Sequence, residues 1–192
     1  MFLGDSIGEK YKEWKAGDCI FISAPTGSGK TEVYLQLIEK ILIAGKNALI
    51  LVPEISLTPQ ITDRFISRFG NVVAILHSRL SIGERYDEWR RIKEGTAKIV
   101  IGARSAIFAP LDDLGIIIVD EEHDASYKSE MNPKYDTKEV GEFLARLYNI
   151  PIIFGSATPD IRSYYATSVG EMKLLKLENR ISKMGLPDIS IV

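Results

Sequence analysis

A glycine-rich loop stands between an apolar segment and a segment of helical period near the start of the chain. Residues 22–31 of this loop have the sequence Ile-Ser-Ala-Pro-Thr-Gly-Ser-Gly-Lys-Thr. Gly27 and Gly29 would let backbone N–H groups approach phosphate oxygens, and the following helix adds the partial positive charge of its N-terminus. Lys30 can then reach β- and γ-phosphates, while the Thr31 hydroxyl can bind Mg²⁺. The predicted phosphate-binding residues are Thr26, Gly27, Ser28, Gly29, Lys30 and Thr31.

Four polar residues follow a second apolar segment. Residues 115–119 read Gly-Ile-Ile-Ile-Val, and residues 120–123 read Asp-Glu-Glu-His. A buried strand that ends in carboxylates places them at the carboxyl edge of a parallel sheet, where open α/β folds bind ligands. There Asp120 would hold Mg²⁺ and Glu121 would orient or deprotonate an attacking water. A solvated acidic turn is the simpler alternative for an isolated run of this kind, but its pairing with the phosphate-binding loop favours a catalytic site formed by Lys30, Asp120 and Glu121.

The elements that must position these residues alternate regularly along the chain. Short runs rich in Ile and Val predict strands buried on both faces, and longer segments with apolar residues at helical spacing predict helices. The predicted strands cover residues 19–23, 48–52, 72–76, 99–102, 116–119 and 152–154, and the predicted helices cover 30–44, 57–69, 81–94 and 136–148. Residues 173–177 predict an edge strand. This alternation predicts an α/β fold with a mostly parallel sheet flanked by helices.

Composition narrows the class of protein further. The 192 residues include 45% hydrophobic and 26% charged side chains, and the net charge is −2. That balance argues against tight DNA binding driven by charge alone. A single cysteine, Cys19, excludes a disulfide framework and a cysteine-rich zinc site. Because there is neither a long apolar run nor a signal-peptide pattern at the start, we expect a soluble, cytoplasmic protein with no membrane partner.

The acidic motif resembles the DExH signature of superfamily 2 helicases and translocases. Residues 51–54, Leu-Val-Pro-Glu, resemble motif Ia of that superfamily, and residues 156–158, Ser-Ala-Thr, resemble its motif III. The superfamily also accepts alanine at the first position of the phosphate-binding loop, where Ala24 stands here in place of the glycine of the strict pattern.

Longer blocks are similar to the PriA family of primosomal helicases, which act in bacterial replication restart. These blocks span residues 26–34, 52–60, 77–78, 102–110 and 120–128, so that the resemblance extends over almost the whole chain. It implies a RecA-like P-loop domain that uses ATP and Mg²⁺. It also implies as partners single-stranded or forked DNA, a second RecA-like lobe that is absent here, and the primosome and other replication-restart proteins.

The resemblance also assigns roles to residues outside the phosphate site. His123, Ser156 and Thr158 would relay the state of the nucleotide. Residues 124–138 match an aromatic-rich loop that couples DNA contact to ATP hydrolysis in the family, although Ser129, Lys134 and residues 137–139 depart from its usual sequence. The predicted nucleic-acid contacts are Arg104, Tyr127, Lys128 and Tyr135. For Arg104 a structural salt bridge is the alternative, and the two tyrosines could either stack on bases or pack the loop.

Taken together, the motifs predict the first motor lobe of a DNA helicase over residues 1–178, followed by a linker at 179–192. The PriA family implies a much longer chain, so we expect a fragment or a natural truncation that hydrolyses ATP very slowly by itself. Two other functions stay open. One is a non-catalytic module whose partner affinity is controlled by nucleotide, and the other is a duplex translocase of the same superfamily.

Overall fold

The computed structural model of the chain describes residues 14–15, 17–25 and 27–177. Thr26 and the predicted linker at 179–192 lie outside the described residues. The strands are β1 (Cys19–Ser23), β2 (Asn47–Leu51), β3 (Val73–Leu76), β4 (Ile99–Gly102), β5 (Leu114–Asp120), β6 (Ile152–Ser156) and β7 (Lys173–Lys176). The helices are α1 (Lys30–Ile43), α2 (Pro59–Phe69), α3 (Ile82–Lys93), α4 (Thr137–Tyr148) and α5 (Ile161–Ser168).

The seven strands form one sheet in the order β3-β4-β2-β5-β6-β1-β7, and all of their pairings are parallel. β5 and β1 are both paired with β6 and lie on either side of it. Consequently, the predicted phosphate-binding loop after β1 and the acidic residues at the end of β5 emerge at the same edge of the sheet, separated by one strand. The prediction of an α/β fold with a mostly parallel sheet is confirmed.

Side chains of the strands alternate between two apolar cores, one on each face of the sheet. On one face, strand residues such as Ile20, Ile50 and Ile118 pack with the buried side of α1 and with Phe65 of α2. On the other face, strand residues pack with Ile92 of α3, Ala145 of α4 and the short 3₁₀ helix Arg104–Phe108; they include Phe21, Leu49, Ile117 and Phe154. Because both faces are covered, the central strands have no polar side and read as continuous Ile and Val runs.

The predicted helices and strands are all present, with ends that differ by at most two residues. The tentative edge strand is β7, which pairs only with β1 among the described residues. Helix α5 was not predicted, because its sequence Ile-Arg-Ser-Tyr-Tyr-Ala-Thr-Ser buries only Ser163 and so has no apolar stripe. Across the described ranges, no helix has both the length and the apolar character needed to cross a membrane.

Candidate active site

The loop that leads from β1 into α1 has the backbone conformation that its glycines permit. Gly27 and Gly29 adopt φ angles of +80° and +91°, in the left-handed region that side chains other than glycine rarely enter. Ala24 is buried, and its N–H donates to the carbonyl of Ser156 on β6, so the methyl group fits where the strict pattern has glycine. Within the part of the chain that the structure describes, the buried Ser28 hydroxyl has no hydrogen-bond partner. A buried hydroxyl without a partner in a glycine-rich turn is a donor that a bound anion could satisfy.

Lys30, the first residue of α1, reaches across β6 to the acidic residues after β5. Its Nζ lies 2.8 Å from Asp120 Oδ1 and 2.5 Å from Glu121 Oε1. Burial opposes the charged form of Lys30, but the two carboxylates outweigh burial and raise its pKa. The three residues predicted to be catalytic therefore meet at one point. They line an open cleft of about 920 Å³ together with Gly27, Gly29 and Thr31.

Two buried phenols hold Asp120 in place. Tyr34 Oη donates to Asp120 Oδ1 at 3.0 Å, and Tyr127 Oη donates to the Asp120 carbonyl at 2.6 Å. Burial raises the pKa of both phenols well above the ordinary tyrosine value, so both remain donors. The prediction that Tyr127 contacts nucleic acid needs correction here, since its ring is only 1% exposed and offers no face for a base to stack on.

The chain turns sharply after Asp120. Glu121 has a φ angle of +46°, an uncommon conformation for a residue with a side chain and one that costs about 1–2 kcal/mol. The next residue, Glu122, is completely buried. Its Oε1 accepts from the Asp160 N–H at 2.8 Å, and its Oε2 accepts from Lys138 Nζ at 2.9 Å and Ser163 Oγ at 3.1 Å. Thus two neighbouring glutamates have entirely different surroundings.

Sequence reasoning gave Glu122, Lys138, Asp160 and Ser163 no role. The other three lie 16 to 41 residues from Glu122 in the sequence, and only the fold brings them to it. The contacts join the acidic motif to the start of α4 and the start of α5. Lys138 also lies 3.3 Å from Asp160 Oδ2. One signal in the sequence could have indicated the start of α5. Asp160 is a residue type preferred at the N-cap, and it caps this helix by accepting from the Arg162 N–H.

The three predicted relay residues lie together beside Glu121. His123 Nδ1 and Ser156 Oγ share a hydrogen bond of 2.7 Å, and the Thr158 N–H donates to Ser156 Oγ at 3.0 Å. Thr158 Oγ1 lies 3.4 Å from His123 Nε2, and His123 Nδ1 lies 3.7 Å from Glu121 Oε2. The His123 imidazole therefore connects Glu121 to Ser156 at the end of β6.

The loop at 124–138 folds back onto the 3₁₀ helix at Arg104–Phe108. Arg104 Nη1 donates to the carbonyls of Lys128 at 2.6 Å and Ser126 at 3.1 Å, and its guanidinium lies 5.9 Å from the centre of the Tyr135 ring. The Tyr135 ring packs edge to face against Phe108 at 5.0 Å. Among the described residues, Arg104 forms no ion pair, so it holds the loop through carbonyls. Lys128 has an exposed side chain.

The residues present fit a magnesium ion that arrives with phosphates. In the part of the chain that the structure describes, no group of three or more His, Cys, Asp and Glu side chains could hold a metal by itself. Asp120 and Thr31 offer a carboxylate and a hydroxyl, both oxygen donors. Mg²⁺ prefers oxygen ligands and is usually bound by one or two carboxylates together with substrate phosphates and waters.

Comparison with known proteins defines the class to which this fold and site belong. A model of the family described as "DEAD/DEAH box helicase" matches residues 9–167. The chain therefore belongs to the DEAD/DEAH box helicase family. Solved structures agree on the fold: the helicase domain of Hef from Pyrococcus furiosus matches 92% of this chain and 38% of its own, with a TM-score of 0.61 and 22% identity. RecG bound to a three-way DNA junction matches 91% of this chain and 23% of its own, with a TM-score of 0.64 and 22% identity.

The curated relatives carry the name replication restart protein PriA. The protein of this name from Bacillus subtilis (strain 168) is 54% identical over 167 residues, which cover 87% of this chain and 21% of that protein. The one from Synechocystis sp. is 48% identical over 178 residues, which cover 90% of this chain and 21% of that protein. The resemblance to PriA is thus confirmed. This chain spans about a fifth of the length of these relatives.

Proposed function

We propose that this chain is the ATP-binding motor lobe of a DNA helicase that acts in replication restart. The observation that carries the proposal is the meeting of Lys30 with Asp120 and Glu121 beneath a glycine-rich loop in a left-handed conformation. A lysine that opens a helix, two carboxylates at the end of another strand of the same sheet and a glycine-rich loop beside a cleft are the parts that phosphoryl-transfer enzymes of the P-loop class use. The similarity to PriA supplies the biological setting.

Lys30 has two alternative partners in this proposal. Without nucleotide its ammonium offsets part of the negative charge of Asp120 and Glu121, two acidic side chains that would otherwise repel each other. With nucleotide the ammonium turns to the β- and γ-phosphates, which frees both carboxylates for their own tasks. Asp120 and Thr31 would hold Mg²⁺, which would neutralise charge on the phosphates when bound. Glu121 orients the attacking water and accepts its proton.

Coupling to DNA is proposed to pass through the loop at 124–138. Lys128 presents an exposed ammonium that can contact a phosphate of the DNA backbone. Arg104 and Tyr135 act indirectly, since Arg104 binds the carbonyl of Lys128 and lies over the Tyr135 ring. Tyr127 joins this loop to the Asp120 carbonyl, so a movement of the loop reaches the magnesium-binding residue directly. His123, Ser156 and Thr158 provide a second route from Glu121 to the end of β6.

Efficient hydrolysis is expected to need a second RecA-like lobe. An arginine supplied from outside such a site is worth roughly 10³–10⁵ in kcat. We therefore expect this chain to bind Mg-ATP, to hydrolyse it only very slowly and to unwind no DNA by itself. Forked or single-stranded DNA and the other replication-restart proteins are the proposed partners of the longer protein.

The test is to measure ATP binding and hydrolysis by this chain, with and without forked and single-stranded DNA. Lys30→Ala should abolish nucleotide binding, because it removes the only lysine that contacts the carboxylate pair among the described residues. Lys93→Ala, an exposed lysine at the end of α3, is the matched control and should bind as the wild type does. Unchanged binding by Lys30→Ala would refute the proposed nucleotide site, and strong DNA-stimulated turnover would refute the need for a second lobe.

A further inference from the structure

Tyr34 lies beside the catalytic residues although no phosphate-binding role requires it. It stands four residues after Lys30, so the two side chains leave the same face of α1. Both reach the same atom, Asp120 Oδ1, at 2.8 Å from Lys30 Nζ and 3.0 Å from Tyr34 Oη. One helix therefore supplies a charged donor and a neutral donor to a single carboxylate oxygen.

The fold makes room for the Tyr34 hydroxyl at a definite place. Gly155 on β6 pairs with Asp120 on β5, and a Cβ atom built on Gly155 would lie 1.8 Å from Tyr34 Oη. Any side chain at that position would push the phenol away from Asp120. The Tyr34 ring is packed in the core, which a phenylalanine ring would fill equally well, so packing alone does not explain the hydroxyl.

We propose that Tyr34 is a positioning residue that fixes the Asp120 carboxylate for magnesium. This inference rests on the proposed function of the site. Lys30 cannot serve as the permanent anchor of Asp120, because its ammonium is needed by the phosphates and because it cancels the negative charge that attracts the metal. A phenol holds the same oxygen without adding charge, and so leaves the carboxylate fully anionic. Tyr34 thus keeps Asp120 oriented during the exchange of Lys30 from carboxylate to phosphate.

The experiment is equilibrium binding of a fluorescent, non-hydrolysable ATP analogue to the 192-residue chain, without Mg²⁺ and across a Mg²⁺ titration. Tyr34→Phe should raise the Mg²⁺ concentration needed for half-maximal tight binding by about 10-fold, the lower end of the effect of removing a group that orients a metal ligand. Its affinity for the metal-free analogue should stay within about twofold of wild type, because the Tyr34 hydroxyl donates to Asp120 and makes no hydrogen bond to a phosphate-binding residue among those that the structure describes. Binding, not turnover, is the readout.

Tyr86→Phe is the control, because it makes the same substitution at an exposed ring on α3, a helix that contributes no residue to the site. It should leave the Mg²⁺ dependence unchanged, and circular dichroism should show that both variants are folded. A wild-type Mg²⁺ dependence in Tyr34→Phe, or an equal shift in both variants, would overturn the inference. Failure of the proposed function would look different. In that case the wild type would not bind the analogue at any Mg²⁺ concentration, or Lys30→Ala would bind it as the wild type does.

Discussion

Two consecutive glutamates in the acidic motif show how differently one residue type can be used. The Glu121 side chain is 31% exposed and contacts Lys30, whose ammonium can leave for a ligand. Glu122 is fully buried, and its three donors come from Asp160, Lys138 and Ser163. The left-handed turn at Glu121 separates the two side chains. The first glutamate stands in the cleft and the second lies within the fold.

The difference lies in whether the partners can be replaced. Water or a metal ion can substitute for the ammonium that contacts Glu121, because the cleft is open on its side. Nothing can substitute for the donors of Glu122 without dismantling the starts of α4 and α5. A reactive group needs replaceable partners, whereas a structural group needs permanent ones. Variants at the two positions should therefore separate activity from stability.

The largest effect on stability should come from Glu122→Gln. The amide of glutamine would place a donor among three donors and leave Lys138 without its buried carboxylate, and removing one partner of a buried ion pair costs about 3 kcal/mol or more. Glu121→Gln should change the free energy of unfolding by no more than about 0.5 kcal/mol, as for other half-exposed positions. Urea denaturation of both variants at neutral pH measures the difference. Equal losses would mean that Glu122 is not held more firmly than Glu121.

A somewhat smaller effect is expected from Gly155→Ala. The new methyl group would collide with the Tyr34 hydroxyl 1.8 Å away and press on Lys30 Cδ at 3.2 Å. Overpacking of a core by one methyl group costs about 1–3 kcal/mol, part of which the double variant Gly155→Ala with Tyr34→Phe should recover because the hydroxyl is gone. Thermal unfolding of the two variants tests this. If the double variant is no more stable than the single one, the collision is not with the hydroxyl.

The conformation of the loop between β1 and α1 could be predicted from sequence because its backbone demands specific residues. Gly27 and Gly29 are needed for φ angles that other residues avoid, and their spacing from Lys30 leaves little choice of structure. The strands were predictable for a similar reason, since burial on both faces imposes runs of Ile and Val. In each case a local requirement, a positive φ angle or burial on both faces of the sheet, determines which residue types can occupy the segment.

Contacts between distant residues could not be predicted in this way. Nothing near Glu122 in the sequence shows that Asp160 and Ser163 will meet it, because the meeting depends on β6 pairing with β5. Tyr127 is an aromatic residue in a loop, the type and place expected of a side chain that stacks on bases, yet its hydroxyl donates inward to the Asp120 carbonyl. An aromatic side chain in a loop can be buried or exposed, and only the fold decides which.

The smallest effect concerns Asp160, which contacts both Glu122 and Lys138. The contribution of its charge to the free energy of unfolding depends on pH. The hydrogen bond from the Arg162 N–H lowers the pKa of the Asp160 carboxyl below the ordinary aspartate value; burial opposes this shift, and Lys138 adds to it. A lowered pKa in the folded state means that the contribution of the charge is present above the unfolded pKa and is lost as pH falls through the folded pKa. Asp160→Asn keeps the helix cap but removes that charge. Because the side chain is partly exposed, we expect a loss of only about 0.5 kcal/mol near neutral pH.

Urea denaturation of wild type and Asp160→Asn from about pH 6 to about pH 3 measures this contribution. The two unfolding free energies should converge at the acid end, because a protonated Asp160 and an asparagine are both neutral. A difference that stays constant over the whole range would show that the charge of Asp160 contributes nothing and that its backbone contacts alone matter. In that case Lys138 would depend on Glu122 alone, and the contrast between the replaceable partners of Glu121 and the permanent partners of Glu122 would become sharper.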